Sequence, residues 1–233
     1  MKESDQFSEQ SQNASGKINI IRIEKQILGE NSVYAGNVRR LLKDKNIYCV
    51  NLVSSPGAGK TTLLVETLDK IKDDVSCAVI EGDQQTSNDA LRISKTGVPV
   101  VQVNTLQSCH LNAYQIQKSL DQLPLDDIQL LVIENVGNLI CPANMDLGEN
   151  EKIVLMSVTE GEDKPIKYPL IFSLANVLVL TKTDLLPHLK FDVFACKSYV
   201  RSVNHDIQII ETSSFSSSGL SEWIAYIKGN IRN

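Results

Sequence analysis

The residues best able to do chemistry cluster between Cys49 and Leu64, in CVNLVSSPGAGKTTLL. Ser54-Ser55-Pro56-Gly57-Ala58-Gly59-Lys60-Thr61 fits the phosphate-binding pattern GxxxxGK[ST], with Ser54 in place of the first glycine. The glycines let backbone N–H groups approach phosphate oxygens, and the helix N-terminus that follows adds partial positive charge. Gly57, Ala58, Gly59, Lys60, Thr61 and Thr62 are therefore the candidate phosphate cradle. Lys60 is suited to neutralise the β- and γ-phosphates, and the Thr61 hydroxyl to bind Mg²⁺. The alternative is an ordinary glycine turn between a buried strand and a helix. The strand–loop–helix context favours a nucleoside triphosphate site.

Thr181-Lys182-Thr183-Asp184 follows a buried apolar run late in the chain, where GTPases carry [NT]KxD. An aspartate there accepts from guanine N1–H and N2–H₂, bonds that adenine cannot offer, while the lysine stem lies along the base. With the downstream turn at Thr212 and Ser213, Lys182 and Asp184 predict guanine specificity. TKTD could also be a plain turn with Asp184 as an N-cap. Asp83 and Glu134 each end an apolar strand and could hold Mg²⁺ or orient the attacking water. Lys60, Asp83 and Glu134 are thus the candidate catalytic residues, and Thr61, Asp83 and Glu134 the candidate Mg²⁺ ligands. Capping roles at turn and strand end are the competing readings.

Cys109-His110 and Cys141 stand in loops that should emerge on the same sheet edge as the nucleotide. Two thiolates and an imidazole suit Zn²⁺ or Ni²⁺, whereas a small buried hydrophobe and a helix-end histidine would explain the same residues without metal. Cys49, Cys77 and Cys196 lie in apolar runs and read as core.

These residues need elements to position them. Apolar strand candidates at Cys49–Val53, Val75–Ile80, Val98–Val103, Ile128–Glu134, Ile153–Val158, Val177–Leu180 and Ile207–Ile210 alternate with helical patterns. The helices are expected near Ser32–Lys45, after the phosphate loop, and at Ser87–Lys95, Cys109–Leu123, Phe191–Val203 and Leu220–Ile231. That alternation predicts an α/β fold with a doubly wound, mostly parallel sheet flanked by helices. Residues 1–16 are polar and predict a disordered tail, with an ordered part from Ile18 and a single domain over 17–233. A net charge of −5 argues against nucleic acid as a partner, and no apolar run is long enough to span a membrane. Five cysteines without disulfide-type spacing, and no signal peptide, predict reduced thiols and a cytoplasmic location.

NLVSSPGAGKTTLL, IEGDQQT, the Cys109-His110 pair, IENVGNLICPA and TEGEDKPIKYP, in that order, resemble the hydrogenase nickel-incorporation GTPase family, HypB. The resemblance runs from about Ile20 to the C-terminus, and ENVGNLICP and EGDQQT are its most specific pieces. It implies a P-loop GTPase of the signal-recognition-particle and MinD-like (SIMIBI) class that dimerises in a nucleotide-dependent way and hydrolyses GTP slowly. It also implies a role in loading nickel into a metalloenzyme, usually [NiFe]-hydrogenase, with a small nickel- and zinc-binding partner chaperone and the hydrogenase large subunit. Cofactors implied are GTP or GDP, Mg²⁺, Ni²⁺ and Zn²⁺. Cys109, His110 and Cys141 match the family's metal ligands, and Lys164 matches a segment near the dimer interface, although a solvated loop lysine reads equally well. Residues 1–48 contain neither cysteine nor histidine, which departs from members with nickel-binding N-terminal motifs. A GTP-driven metal switch is the expected mechanism. Rivals are a urease-type accessory GTPase, disfavoured because Cys141-Pro142 is followed by Ala143, a P-loop small-molecule kinase, and a nucleotide-regulated binding module.

Overall fold

A computed structural model describes residues 28–84, 86–106 and 108–231. The expected tail and the start of the ordered part at Ile18–Ile27 lie outside them. A helix over 28–44 (α1) leads into strand β1 (Tyr48–Ser54) and helix α2 (Lys60–Ile71). There follow β2 (Cys77–Asp83), α3 (Asn88–Ser94), β3 (Val100–Asn104), α4 (Ala113–Leu120), β4 (Leu130–Glu134) and β5 (Glu151–Ser157). The short helices α5 (Lys164–Lys167) and α6 (Pro169–Ser173) precede β6 (Val177–Thr181), a 3₁₀ turn (Thr183–His188), α7 (Val193–Val203), β7 (Gln208–Glu211) and α8 (Leu220–Asn230).

Among the described residues, seven strands form one parallel sheet in the order β3-β2-β4-β1-β5-β6-β7. Strands β1 and β4 are buried along their whole length, as strands covered on both faces must be. The period-2 alternation of β1 sorts its side chains between two layers. Tyr48, Val50 and Leu52 join a core with Leu63 and Leu68 of α2, Ile93 of α3 and Trp223 of α8. On the opposite face, Cys49 packs with Val38 and Leu42 of α1 and Ile116 of α4, while Val53 packs with α6 and α7 residues. Strand order reverses about β1, so a crevice opens above the C-terminal strand ends, where open α/β sheets bind ligands. The expected doubly wound architecture is the one observed. Among the described residues, no helix is long and apolar enough to cross a membrane.

One local expectation needs correction. The helix foreseen from Cys109 begins only at Ala113, because Asn112 caps it. The Asn112 side chain accepts from Gln115 N–H at 2.9 Å, and Gln115 Oε1 accepts from Asn112 N–H at 3.0 Å. Cys109 and His110 therefore lie in the turn before the helix. The segment 135–150, from β4 to the neighbour-but-one strand β5, forms turns without a helix.

Candidate functional site

The phosphate loop leaves β1 at Ser54 and turns through Gly57 (φ +76°) and Gly59 (φ +96°), left-handed conformations that favour glycine, into the first turn of α2. Lys60 Nζ donates to Ser54 Oγ at 3.0 Å, so the residue replacing the first glycine of the motif holds the loop lysine. Burial pulls the Lys60 pKa down, opposed chiefly by the charge of Glu134. The loop is tied to the far side of the sheet: Thr181 Oγ1 donates to Ala58 O at 2.6 Å and Lys182 Nζ to Gly57 O at 2.7 Å.

A cleft of about 490 Å³ opens beside this loop, lined by Lys60, Thr61, Thr62, Asp83, Glu134 and Lys182 among others. Thr61 Oγ1 donates to Glu134 Oε1 at 2.6 Å, while the buried Glu134 Oε2 has no hydrogen-bond partner. A hydroxyl and a bare carboxylate oxygen at a phosphate loop fit a hard divalent cation such as Mg²⁺. Asp83 lines the same cleft, but its carboxylate also organises its own turn, accepting from Gln84 N–H at 2.5 Å and Thr86 Oγ1 at 2.7 Å.

Adjoining the cleft is a pocket of about 240 Å³ lined by Gly59, Thr62, Lys182, Asp184 and Phe215. Asp184 Oδ1 accepts from Ser213 Oγ at 2.5 Å, which points the carboxylate along the pocket. Thr212 and Ser213 are buried behind it, and Thr212 N–H donates to Leu180 O at 2.7 Å. A carboxylate flanked by a lysine stem presents an acceptor pair to a purine edge. Lys164 Nζ reaches Ser55 Oγ at 2.5 Å and pairs with Glu160, so it is no free loop lysine.

Three residues of the cleft escape motif reading. Glu81 is buried opposite Glu134 across the β2–β4 ladder, and its Oε2 also lacks a partner. Glu81-Gly82-Asp83 on a strand places both acids on one face, a signal that period 2 could have supplied. Arg92 donates to Thr62 Oγ1 at 2.9 Å, with Asp89 beside it at 3.2 Å, and no sequence signal marks either.

Cys109, His110 and Cys141 converge from separate loops, their candidate ligand atoms within 4.8 Å of one another. Cys109 Sγ lies 3.6 Å from His110 Nδ1. Burial lowers the His110 pKa and so favours the neutral, ligating imidazole. Contrary to the expectation of reduced thiols throughout, Cys109 and Cys141 pair as a disulfide, with Cα atoms 6.3 Å apart. Sequence spacing hides this pairing because it spans 32 residues and two loops brought together only by the sheet. Two sulfurs and an imidazole at such range are the donor set for a soft or borderline cation once the bond is reduced. Cys49, Cys77 and Cys196 are buried and free, and burial pushes the Cys77 and Cys196 thiols up to about 12, which keeps them inert.

Residues 48–211 match the family model described as "CobW/HypB/UreG, nucleotide-binding domain". The hydrogenase maturation factor HypB of Azotobacter chroococcum is 53% identical over 209 residues, covering 90% of this chain and 68% of that protein. The crystal structure of HypB from Helicobacter pylori in complex with nickel superposes with a TM-score of 0.82 at 35% identity, covering 88% of this chain and 98% of that one. FtsY from Mycoplasma mycoides, with a TM-score of 0.55 at 15% identity over 80% of this chain and 69% of that one, shares the fold alone.

Proposed function

This chain belongs to the hydrogenase maturation factor HypB family, within the CobW/HypB/UreG nucleotide-binding group, and on that premise we propose that it is a GTP-hydrolysing nickel metallochaperone. The observation that carries the reading is adjacency. His110 lies in the turn after β3, next to the Asp83 end of β2, and Cys141 lies seven residues beyond Glu134 in the segment leaving β4. Any rearrangement of the carboxylates around a γ-phosphate acts directly on the loops that carry the ligands.

In this reading Lys182 and Asp184 select guanine, with Thr212 and Ser213 supporting them. Gly57, Ala58, Gly59 and Thr62 cradle the phosphates. Thr61, Glu134 and Asp83 hold Mg²⁺, which supplies charge neutralisation at the phosphates. Lys60 stabilises charge at the transferring phosphoryl group, and a carboxylate at the sheet edge orients water for a slow hydrolysis. Lys164, at Ser55, stands within reach of the phosphate loop. Cys109, His110 and Cys141 take nickel as cargo, or zinc. Three ligands leave a coordination position for a donor from a second copy or from the receiving protein. The reading includes a nucleotide-dependent homodimer, a small nickel- and zinc-binding maturation chaperone, the hydrogenase large subunit as recipient, and a cytoplasmic location.

Nucleotide competition tests the enzymatic half. GTP should displace bound GDP and ATP should not, by a margin on the order of 10⁴-fold, because the half-buried Asp184 facing adenine finds no donor pair. Lys60→Ala should abolish turnover. Equal competition by ATP would favour the small-molecule kinase reading. Nickel titration of reduced protein tests the metal half: Cys109→Ala and Cys141→Ala should both lose the site, and unchanged binding in both would leave a GTPase with structural cysteines.

A further inference from the structure

A buried polar chain runs between the two candidate sites, touching the nucleotide cleft at Asn135. Asn51, in the middle of β1, donates from Nδ2 to Glu149 Oε1 at 3.1 Å and accepts on Oδ1 from Asn135 Nδ2 at 3.3 Å. Asn135 Oδ1 accepts the N–H groups of Leu111 at 3.1 Å and Val136 at 2.9 Å. Glu149 Oε1 stands 3.8 Å from Lys152 Nζ. Lys152 then donates to three carbonyls, those of Pro142 at 3.1 Å, Ala143 at 2.9 Å and Met145 at 3.1 Å.

The placement of the ends gives this chain meaning. Asn135 directly follows Glu134, Leu111 directly follows His110, and Pro142 directly follows Cys141. Glu134 faces the α2 layer with the nucleotide cleft, whereas Asn51 and Asn135 lie toward the α1 and α4 side with the thiol site. Leu111 is fixed from a second direction, since its side chain fills the space over Gly82, where a β-carbon would come within 2.8 Å. Gly82 separates Glu81 from Asp83.

Such a chain is costly to build and rigid once built. Asn51 is 0% exposed, Asn135 1% and Lys152 8%. An ammonium has three N–H donors, and here each has a carbonyl. A buried polar group that loses its partner pays the desolvation cost, so the chain responds as a unit rather than bond by bond. Apolar side chains could fill this volume without polar links; here the links are directional hydrogen bonds, save that between Glu149 and Lys152, a buried ion pair at 3.8 Å.

We propose that Asn135, Asn51, Glu149 and Lys152 transmit the state of the nucleotide cleft to Cys109, His110 and Cys141, with Lys152 the positioning residue on the thiol side. The proposal rests on the coupled-site reading above. When the cleft draws on Glu134, Asn135 moves with it. The Leu111 anchor shifts the His110 turn, and the Asn51–Glu149–Lys152 branch shifts the Cys141 turn. The two ligand-bearing turns thereby change separation, which changes metal affinity.

The test is the ratio of nickel dissociation constants in GDP and in a non-hydrolysable GTP analogue, measured on reduced full-length protein. Variants are Lys152→Met, Lys152→Arg and Asn51→Ser, with the thiolate-to-metal charge-transfer band recorded for each. The wild-type ratio should fall within the common coupling range of about 5- to 150-fold. Lys152→Met and Asn51→Ser should bring it below about twofold while the band persists, and Lys152→Arg should recover it, which loss of stability alone would not produce. Wild-type ratios in Lys152→Met and Asn51→Ser would overturn the relay and leave the metallochaperone reading standing. A wild-type ratio near one would instead overturn the coupling itself, and the relay with it. Should Lys152→Met fail to fold, Asn51→Ser decides, because it leaves the three carbonyl contacts in place.

Discussion

Glu81 and Glu134 face each other as buried acids on neighbouring strands, and their protonation reports on what the cleft holds. Burial, then the charges of Glu134 and Asp83, pushes Glu81 up to about 8 from an ordinary 4.5. Burial also raises Glu134, to about 7, against the opposing pull of Lys60 and the Thr61 hydrogen bond. An acid whose folded pKa is raised keeps a proton that the unfolded chain has released. Stability of the nucleotide- and metal-free protein should therefore fall as pH climbs from about 4.5 toward about 8, and level off above. A thermal-unfolding series across that window should show the slope, and Glu81→Gln should flatten it; a Tm independent of pH in both proteins would refute the assignment. The sulfurs set a second condition, because thiolates and not a disulfide bind metal. Nickel uptake should require prior reduction of the Cys109–Cys141 bond, with thiol titration rising by two per chain as binding appears. Full uptake by protein whose pair is still oxidised would exclude these sulfurs as ligands.

At the scale of elements, the turn between β3 and α4 is where local chemistry and the site meet. The Asn112 capping box ends that turn, and Asn31 of α1 braces it by accepting from Ala113 N–H at 2.8 Å and donating to Asp146 O at 2.7 Å. Asn112→Ala should cost about 1 kcal/mol, typical of a lost N-cap, and is read as a lower denaturant midpoint with unchanged slope. No change in midpoint would mean that Asn31 alone holds the helix start. The Asn112–Gln115 spacing signals the cap in the sequence, yet apolar periodicity running back to Leu111 masks it. The strands were legible because parallel strands covered on both faces read as continuous apolar runs. Their C-terminal acids were legible for the same reason. Arg92 and Lys152 were not, since their roles come from partners 30 residues away for Arg92, and from a turn that folds back onto the start of β5 for Lys152. Asn51, polar within an apolar strand, is a signal visible in the sequence.

Across the whole molecule, the sheet puts two chemistries on opposite faces of one strand end. The phosphate loop, the Thr61–Glu134 pair proposed to hold Mg²⁺ and the Lys182–Asp184 pocket proposed for guanine lie toward α2, and the thiol–imidazole cluster lies toward α1 and α4. The fold was readable from alternation and motif order because each βα unit repeats one physical pattern. The disulfide pairing and the buried chain between the sites were not, because both depend on which loops the strand order brings together. Linkage makes the two-site account testable from either end: if nucleotide changes nickel affinity, nickel must change nucleotide affinity by the same factor. The direct measurement is calorimetric titration of GDP and a non-hydrolysable GTP analogue into reduced protein, metal-free and nickel-loaded, in wild type and Cys141→Ala. Nickel should shift the ratio of the two nucleotide affinities in the wild type, by the factor found in the nickel titrations, and leave it unchanged in Cys141→Ala. A wild-type ratio indifferent to nickel, or a shift that survives Cys141→Ala, would contradict the coupling of the two sites.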